Sequence, residues 1–436
     1  MREKALLAAK AVASPRVSGI LQLRPVRFFP LRQECEVRRS NLRDMDYTPI
    51  AYQDPATKTY LGSPSILRLR NGDLLATHDY FGPGCPRNHE QEEHLLSVYR
   101  SRDNGATWAG VTHVAGQYWS SLLEHRGALY LLGVSQQYGS IVIRRSEDDG
   151  NTWTHPRDEG SGLLFRGGYY HDDPNYHCAP VPVLKKDGWL YRAFEDCVGA
   201  NWGPGFHSCV IAAREDSDLL DAASWTMSNK LRFDPAWLPK EWPALDGPGY
   251  LEGNVVETPE GEIWNILRLH SSPVVGKAAV LRVTAASPPA PLPCARGRAP
   301  GEGSTARGLR QEFLRIIDFP GGMSKFTIRR DPGTGLYLSL SNNNTNSRFP
   351  NQRNVLSLYS SPNLIEWTHC RTLLEDDLGL PWDESVRFTG FQYVDWQFDG
   401  DDIIYAVRMA YDGAHNFHDA NRLTFHRLEG YGTVLS

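Results

Sequence analysis

Apolar residues in this chain come in short runs separated by turn-forming residues, and the runs are too brief for helices. Leu95-Leu-Ser-Val-Tyr99 and Ser140-Ile-Val-Ile-Arg144 are typical. Ile66-Leu-Arg-Leu69 precedes Asn71-Gly72, Val183-Leu184 precedes Lys186-Asp-Gly188, and Val255-Val256 precedes Pro259-Glu-Gly261. Ile403-Ile-Tyr-Ala-Val407 follows Asp399-Gly400. Runs of this length, bounded by Gly, Asn, Asp and Pro, predict strands joined by hairpins. No convincing helical periodicity recurs, so the expected class is all-β.

One hairpin turn repeats. Ser101-Arg-Asp-Asn-Gly-Ala-Thr-Trp108 and Ser146-Glu-Asp-Asp-Gly-Asn-Thr-Trp153 share the pattern S-x-D-x-G-x-T-W, each after an apolar strand. Asp103 and Asp148 can accept backbone N–H bonds across the turn, while Gly105 and Gly150 supply a left-handed conformation. Trp108 and Trp153 would then anchor the following strand between neighbouring sheets. Ser360-Ser-Pro-Asn-Leu-Ile-Glu-Trp367 keeps only the ends and the turn, and Ser217 to Trp225 is a worn fourth copy. The pattern is similar to the Asp box, and with it the chain resembles the sialidase superfamily of six-bladed β-propellers, built of four-stranded antiparallel blades. Residues 46–436 leave room for six units of about 45 residues with their loops. Such boxes identify a fold and say nothing of a reaction.

Composition agrees with a β-rich chain. Twelve Trp and 19 Tyr accompany only five Met, and ring-bearing residues suit strands. A net charge of −5 gives no global basic field for nucleic acid. No run approaches the ~20 apolar residues of a membrane span. The seven cysteines are odd in number and form no C-x-x-C pair, so buried thiols are expected in place of a disulfide framework or a zinc knuckle. Two segments stand apart. Residues 1–45 read as a basic extension, with ten basic against three acidic residues up to Arg43. An Arg-rich, acid-poor leader resembles an organelle transit peptide, and a disordered basic extension is the alternative. Residues 284–311 are rich in Pro and Gly and are expected to be a disordered surface insertion within the propeller.

The resemblance also implies where chemistry sits: at the mouth of the central channel, with an arginine triad, an Asp acid/base and a Tyr nucleophile activated by a Glu. Leu251-Glu-Gly-Asn through Ile266-Leu-Arg268 matches the stretch holding that Glu and the second arginine, which assigns Glu252 and Arg268. The segment leading to the third box offers Arg353, with Arg348 as the fallback. In the first blade, the family's first arginine is replaced by Gly62, which removes a bidentate guanidinium and is expected to open space for a bulkier sugar. Asp79 is the acid/base candidate, with His78 beside it. In the last blade Phe391 stands at the tyrosine's place. Tyr393, on the same face by period-two alternation, is the substitute nucleophile, and Asp395 shares that face.

Tyr169-Tyr-His-Asp-Asp-Pro-Asn-Tyr-His177 has no counterpart in the family pattern. Its His171, Asp172, Asp173 and His177 are candidates for sugar binding or acid/base work. His415-Asn-Phe-His-Asp-Ala-Asn421 repeats its style, and Arg192 with Glu195 reads as a pair at a blade edge. No metal-ligand spacing is met, and no cofactor or metal is expected. The implied partner is a carbohydrate substrate. The implied function is that of an exo-glycosidase acting on a terminal, anionic sugar with retention. A propeller lyase acting on uronates and a non-catalytic glycan-binding propeller are the alternatives.

Overall fold

The computed structural model of the chain describes residues 45–284, 308–344, 346 and 348–435. The expectations for the basic leader and for most of the 284–311 insertion lie outside these. The insertion's two ends are described: Thr284 pairs with Arg310, so it leaves the fold at a hairpin between two outer strands.

The described residues form six antiparallel sheets. In chain order their innermost strands are Ser65–Arg68, Tyr118–His125, Leu184–Lys186, Gly249–Glu257, Thr327–Arg330 and Gly390–Asp399. Five of the six adjacent pairs of these strands touch, and Ser121 of the second bonds the Val181 backbone just ahead of the third; the last returns to the first, where Asp395 accepts from the Ile66 amide at 2.9 Å. The wheel is a six-bladed β-propeller, numbered here as blades I to VI. Blade VI is completed by the start of the described chain: Thr48–Tyr52 pairs with Arg422–Leu428 as its outermost strand. A seven-residue helix, Trp382–Phe388, is the one α-helix among the described residues.

Apolar faces of neighbouring blades meet as separate clusters. Val256, Trp264, Ile266, Val280, Phe326, Ile328 and Tyr337 fill the space between blades IV and V. Each fully buried side chain of this size contributes about 1.5–3 kcal/mol. The repeated turns join this packing. Asp103 Oδ1 accepts from the Thr107 amide and Asp148 Oδ1 from the Thr152 amide, both at 2.9 Å. Gly105 and Gly150 have φ of 94° and 87°. At Ser360–Trp367 the acceptor moves one residue on, to Asn363, and Leu364 takes the left-handed position. The segment from Ser217 to Trp225 folds differently, around a short 3₁₀ turn capped by Asp221.

One irregularity recurs on alternate blades. The inner strands of blades II, IV and VI each carry a β-bulge, between Tyr118 and Ser121, Leu251 and Asn254, and Gln392 and Asp395. Within them Trp119, Glu252 and Tyr393 sit at φ of 42°, 57° and 54°. A bulge re-aims a side chain that strict alternation would send elsewhere.

Candidate active site

All three re-aimed side chains line one hollow at the channel mouth, with a volume of about 150 Å³. Asp79, Glu93, Tyr138, His177, Trp202, Arg408 and His418 line it too. Behind the lining lies Arg268, near the end of the strand Ile263–His270 that pairs with the Glu252 strand. Arg268 Nη1 donates to Glu252 Oε2 at 3.0 Å and to the Tyr393 hydroxyl at 3.3 Å. Two further guanidinium groups face the Tyr393 ring: Arg353 at 5.7 Å and Arg408 at 4.7 Å from its centroid. Arg353 also donates to Gln392, and Arg408 to the His418 carbonyl at 2.7 Å. All three arginines are buried, and in each the Nε has no partner.

Burial pushes the Glu252 carboxyl up, yet Arg268, His177 and the donors around it more than offset this and hold it below its ordinary value. It stays ionised. Asp79 is the opposite case. Burial dominates over the pull of Arg408 and of the Ser63 amide, and its carboxyl titrates at about 7. Its Oδ1 accepts from the Ser63 amide at 3.0 Å, while Oδ2 has no partner. Environments that drive two carboxyl groups apart in this way mark one as a proton donor and the other as a base. Burial, with neighbouring Arg268 and Arg408, brings Arg353 down to about 10, so it remains a cation.

No protein-family model and no curated protein sequence matches the chain. Solved structures do. An α-L-arabinanase of Penicillium chrysogenum complexed with arabinobiose is similar at TM-score 0.52 and 16% identity, over 88% of this chain and 97% of its own. A Hadza microbial sialidase is similar at TM-score 0.53 and 13% identity, over 88% of this chain and 69% of its own. An intramolecular trans-sialidase from Ruminococcus gnavus, in complex with oseltamivir carboxylate, follows at TM-score 0.50 and 13% identity, over 90% of this chain and 100% of its own. The fold these structures share with the chain is the six-bladed β-propeller. At such identities the likeness speaks for the fold alone, and chemistry has to come from the site.

In this propeller the remaining candidates lie as follows. A methyl group at Gly62 would come within 2.2 Å of Asp79 Oδ2, so the space expected to be open is filled by the Asp79 carboxyl. His78 is fully buried inside blade I, between the Asp79 carbonyl and the Tyr99 hydroxyl, and burial lowers it to about 4. It points away from the mouth because it neighbours Asp79 on an extended strand. Asp395 does not share a face with Tyr393, since the bulge breaks the alternation. It binds Ser65, Ile66 and Arg329 and ties blade VI to its neighbours. His177 is at the mouth, its Nδ1 2.6 Å from Glu195 Oε1. His171 lies 2.6 Å from Glu92 and edge-on to Tyr138 at 5.8 Å, Asp172 is exposed, and Asp173 accepts from the Gly199 amide at 2.7 Å. The fallback Arg348 is exposed.

The expected edge pair of Arg192 and Glu195 does not form. Arg192 is fully buried and donates to Ser121 and to the Ala179 carbonyl, whereas Glu195 joins His177 and also accepts from the Glu252 amide at 3.1 Å. Sequence reasoning missed Arg408, Glu93 and Trp202. For Arg408 a signal existed: it is the lone cation in the strand Asp402–Ala410, within an otherwise apolar run from Ile403. Among the described residues no cluster of His, Cys, Asp and Glu is arranged to hold a metal ion, and no helix is long and apolar enough to cross a membrane. The five described cysteines are free thiols.

Proposed function

We propose that the protein is a retaining exo-glycosidase for a terminal, anionic sugar of a glycan. One juxtaposition carries the reading: the Tyr393 hydroxyl and the Glu252 carboxylate share Arg268 in a hollow that Asp79 also lines. The Tyr393 oxygen attacks the anomeric carbon and passes its proton to Glu252. Asp79, protonated below about pH 7, gives its proton to the departing glycosidic oxygen. Asp79 then takes a proton from the water that displaces Tyr393 from the glycosyl intermediate, and Glu252 returns its proton to the departing Tyr393 oxygen, with overall retention. Arg268, Arg353 and Arg408 supply positive charge for an acidic substituent beside the anomeric centre. A phenol serves here because a carboxylate nucleophile would repel such a substituent. The likeness to an arabinanase and to sialidases supports glycoside chemistry on this scaffold.

A panel of aryl glycosides, sialoside and uronide included, tests the reading. Release of the phenol is expected for an acidic sugar, with the α or β configuration preserved in the first-formed product. Glu252→Gln should abolish turnover while the circular-dichroism spectrum stays native. An unimpaired variant removes Glu252 from the mechanism. Ultraviolet absorbance from an unsaturated uronate, without phenol release, would establish elimination in its place.

A further inference from the structure

The hollow is small and its lining is mostly buried, with one conspicuous exception at its edge. Trp202 is 45% exposed, the most open of the aromatic side chains around the mouth. An exposed tryptophan alone needs no explanation, but this one is presented on a stiffened loop. Between the strands Trp189–Cys197 and Phe206–Arg214, the Val198 amide donates to the Gly205 carbonyl at 2.9 Å and the Gly205 amide to the Asn201 carbonyl at 2.9 Å. Asp173 clamps the loop from outside through the Gly199 amide. Gly249 of blade IV packs so closely that a methyl group there would lie 2.1 Å from the Gly203 carbonyl oxygen. The indole is further fixed edge-on to Phe206, at 6.1 Å, and to His270, at 5.1 Å, with the Arg268 guanidinium 5.9 Å from its centre.

We infer that Trp202 is the platform for the leaving group, a second sugar ring, and so forms a subsite adjoining the hollow. This rests on the glycosidase reading above. The enclosed side of the hollow holds Glu252, Tyr393 and Arg408 and receives the sugar that is attacked. The residue bonded to it has to extend toward solvent, past the rim that Trp202 forms. An indole held in place without closing over itself loses little freedom when a sugar's C–H face stacks on it, and aromatic anchors of this kind dominate binding where they occur. The predicted leaving group is therefore a saccharide with an apolar face, and a bare alkyl or fluoride leaving group gains nothing from Trp202.

The test compares the lactoside of the cleaved sugar with its glycosyl fluoride, in wild type, Trp202→Phe and Trp202→Ala. In Trp202→Ala, kcat/KM should fall at least tenfold further for the lactoside than for the fluoride, mainly through KM, and Trp202→Phe should recover most of the difference. Equal losses on both substrates would assign Trp202 to supporting Arg268 and overturn the subsite. Saturation-transfer NMR with methyl β-lactoside reads the same subsite without turnover. Transfer to the glucose or galactose ring protons is expected for wild type and not for Trp202→Ala, and its absence in wild type overturns the proposal. Should no glycoside be hydrolysed while the lactoside still binds through Trp202, the glycosidase reading fails and the subsite stands.

Discussion

The absence of a side chain at Gly62 is what lets the Asp79 carboxyl occupy its buried place at the mouth. Replacing Gly62 with Ala sets a methyl group 2.2 Å from Asp79 Oδ2 and 2.7 Å from its carbonyl oxygen. Overpacking of this kind costs about 1–3 kcal/mol. The variant should melt several degrees lower and, if Asp79 acts as proposed, lose most of its turnover, because its carboxyl is the group displaced. Asp79 itself links activity to pH. Its carboxyl binds a proton up to about pH 7, so turnover of alkyl glycosides should decline as pH rises through that value. Asp79→Asn should lower that turnover about 10²–10⁴-fold and remove the decline, while activated fluorides suffer far less. Stability moves with the same proton. Asp79 titrates at about 7 when folded, against 3.8 ordinarily. Its contribution is thus complete below pH 4 and is lost as pH rises through 7. Denaturant titrations should show Asp79→Asn gaining on the wild type between about pH 4 and pH 7, by on the order of a few kcal/mol, with no further change above that.

At the level of strands and turns, the repeats were legible from sequence because their geometry is local. An Asp four residues ahead of its Thr and a left-handed Gly between them determine the hairpin whatever surrounds it. The bulges were not legible. Nothing in Gln392-Tyr-Val-Asp395 announces an extra residue, and pairing with Arg408 and Ala406 across the sheet decides it. Alternation therefore placed Phe391, Tyr393 and Asp395 together, whereas Phe391 is in the core and Asp395 spans to blade I. Arg408 escaped notice, and Glu195 was given the wrong partner, for a related reason: each is a charged residue in a strand whose neighbours are buried, and only the arrangement of blades shows which charges it faces. The turn glycines offer a direct check. Gly105, at φ 94°, has Phe425 of blade VI where a methyl group would go, only 2.1 Å away. Gly105→Ala meets both backbone strain and a ring that must shift, and should destabilise by at least about 1–3 kcal/mol. Urea unfolding would measure this, and activity per folded molecule should be unchanged, since the turn is remote from the mouth.

On the scale of the wheel, stability depends on a pairing between distant parts of the sequence. Thr48–Tyr52 and Arg422–Leu428 lie side by side, and Ile50 packs with Leu61, Ile404, Leu423 and Phe425 across the seam. Removing residues 45–52 would strip blade VI of its outer strand and bare that apolar seam to water. A markedly lower melting temperature and early loss of turnover are expected, because blade VI holds both Tyr393 and Arg408. A truncated chain that melts like the original would show that blade VI closes without its outer strand. Such closure also orders events in time: blade VI can be finished only after its outer strand has met Arg422–Leu428, so Tyr393 reaches its final setting late, once most of the chain has been made.

The seam has an engineering corollary. Met45, Tyr47 and Leu435 pack against one and the same cluster, so a short linker could splice the two ends of the described wheel. New termini could then be opened at a peripheral hairpin such as Gly261, on the rim between two strands of blade IV. A circular permutant of this kind would carry every mouth residue in its native setting while moving the covalent break a third of the way around the ring.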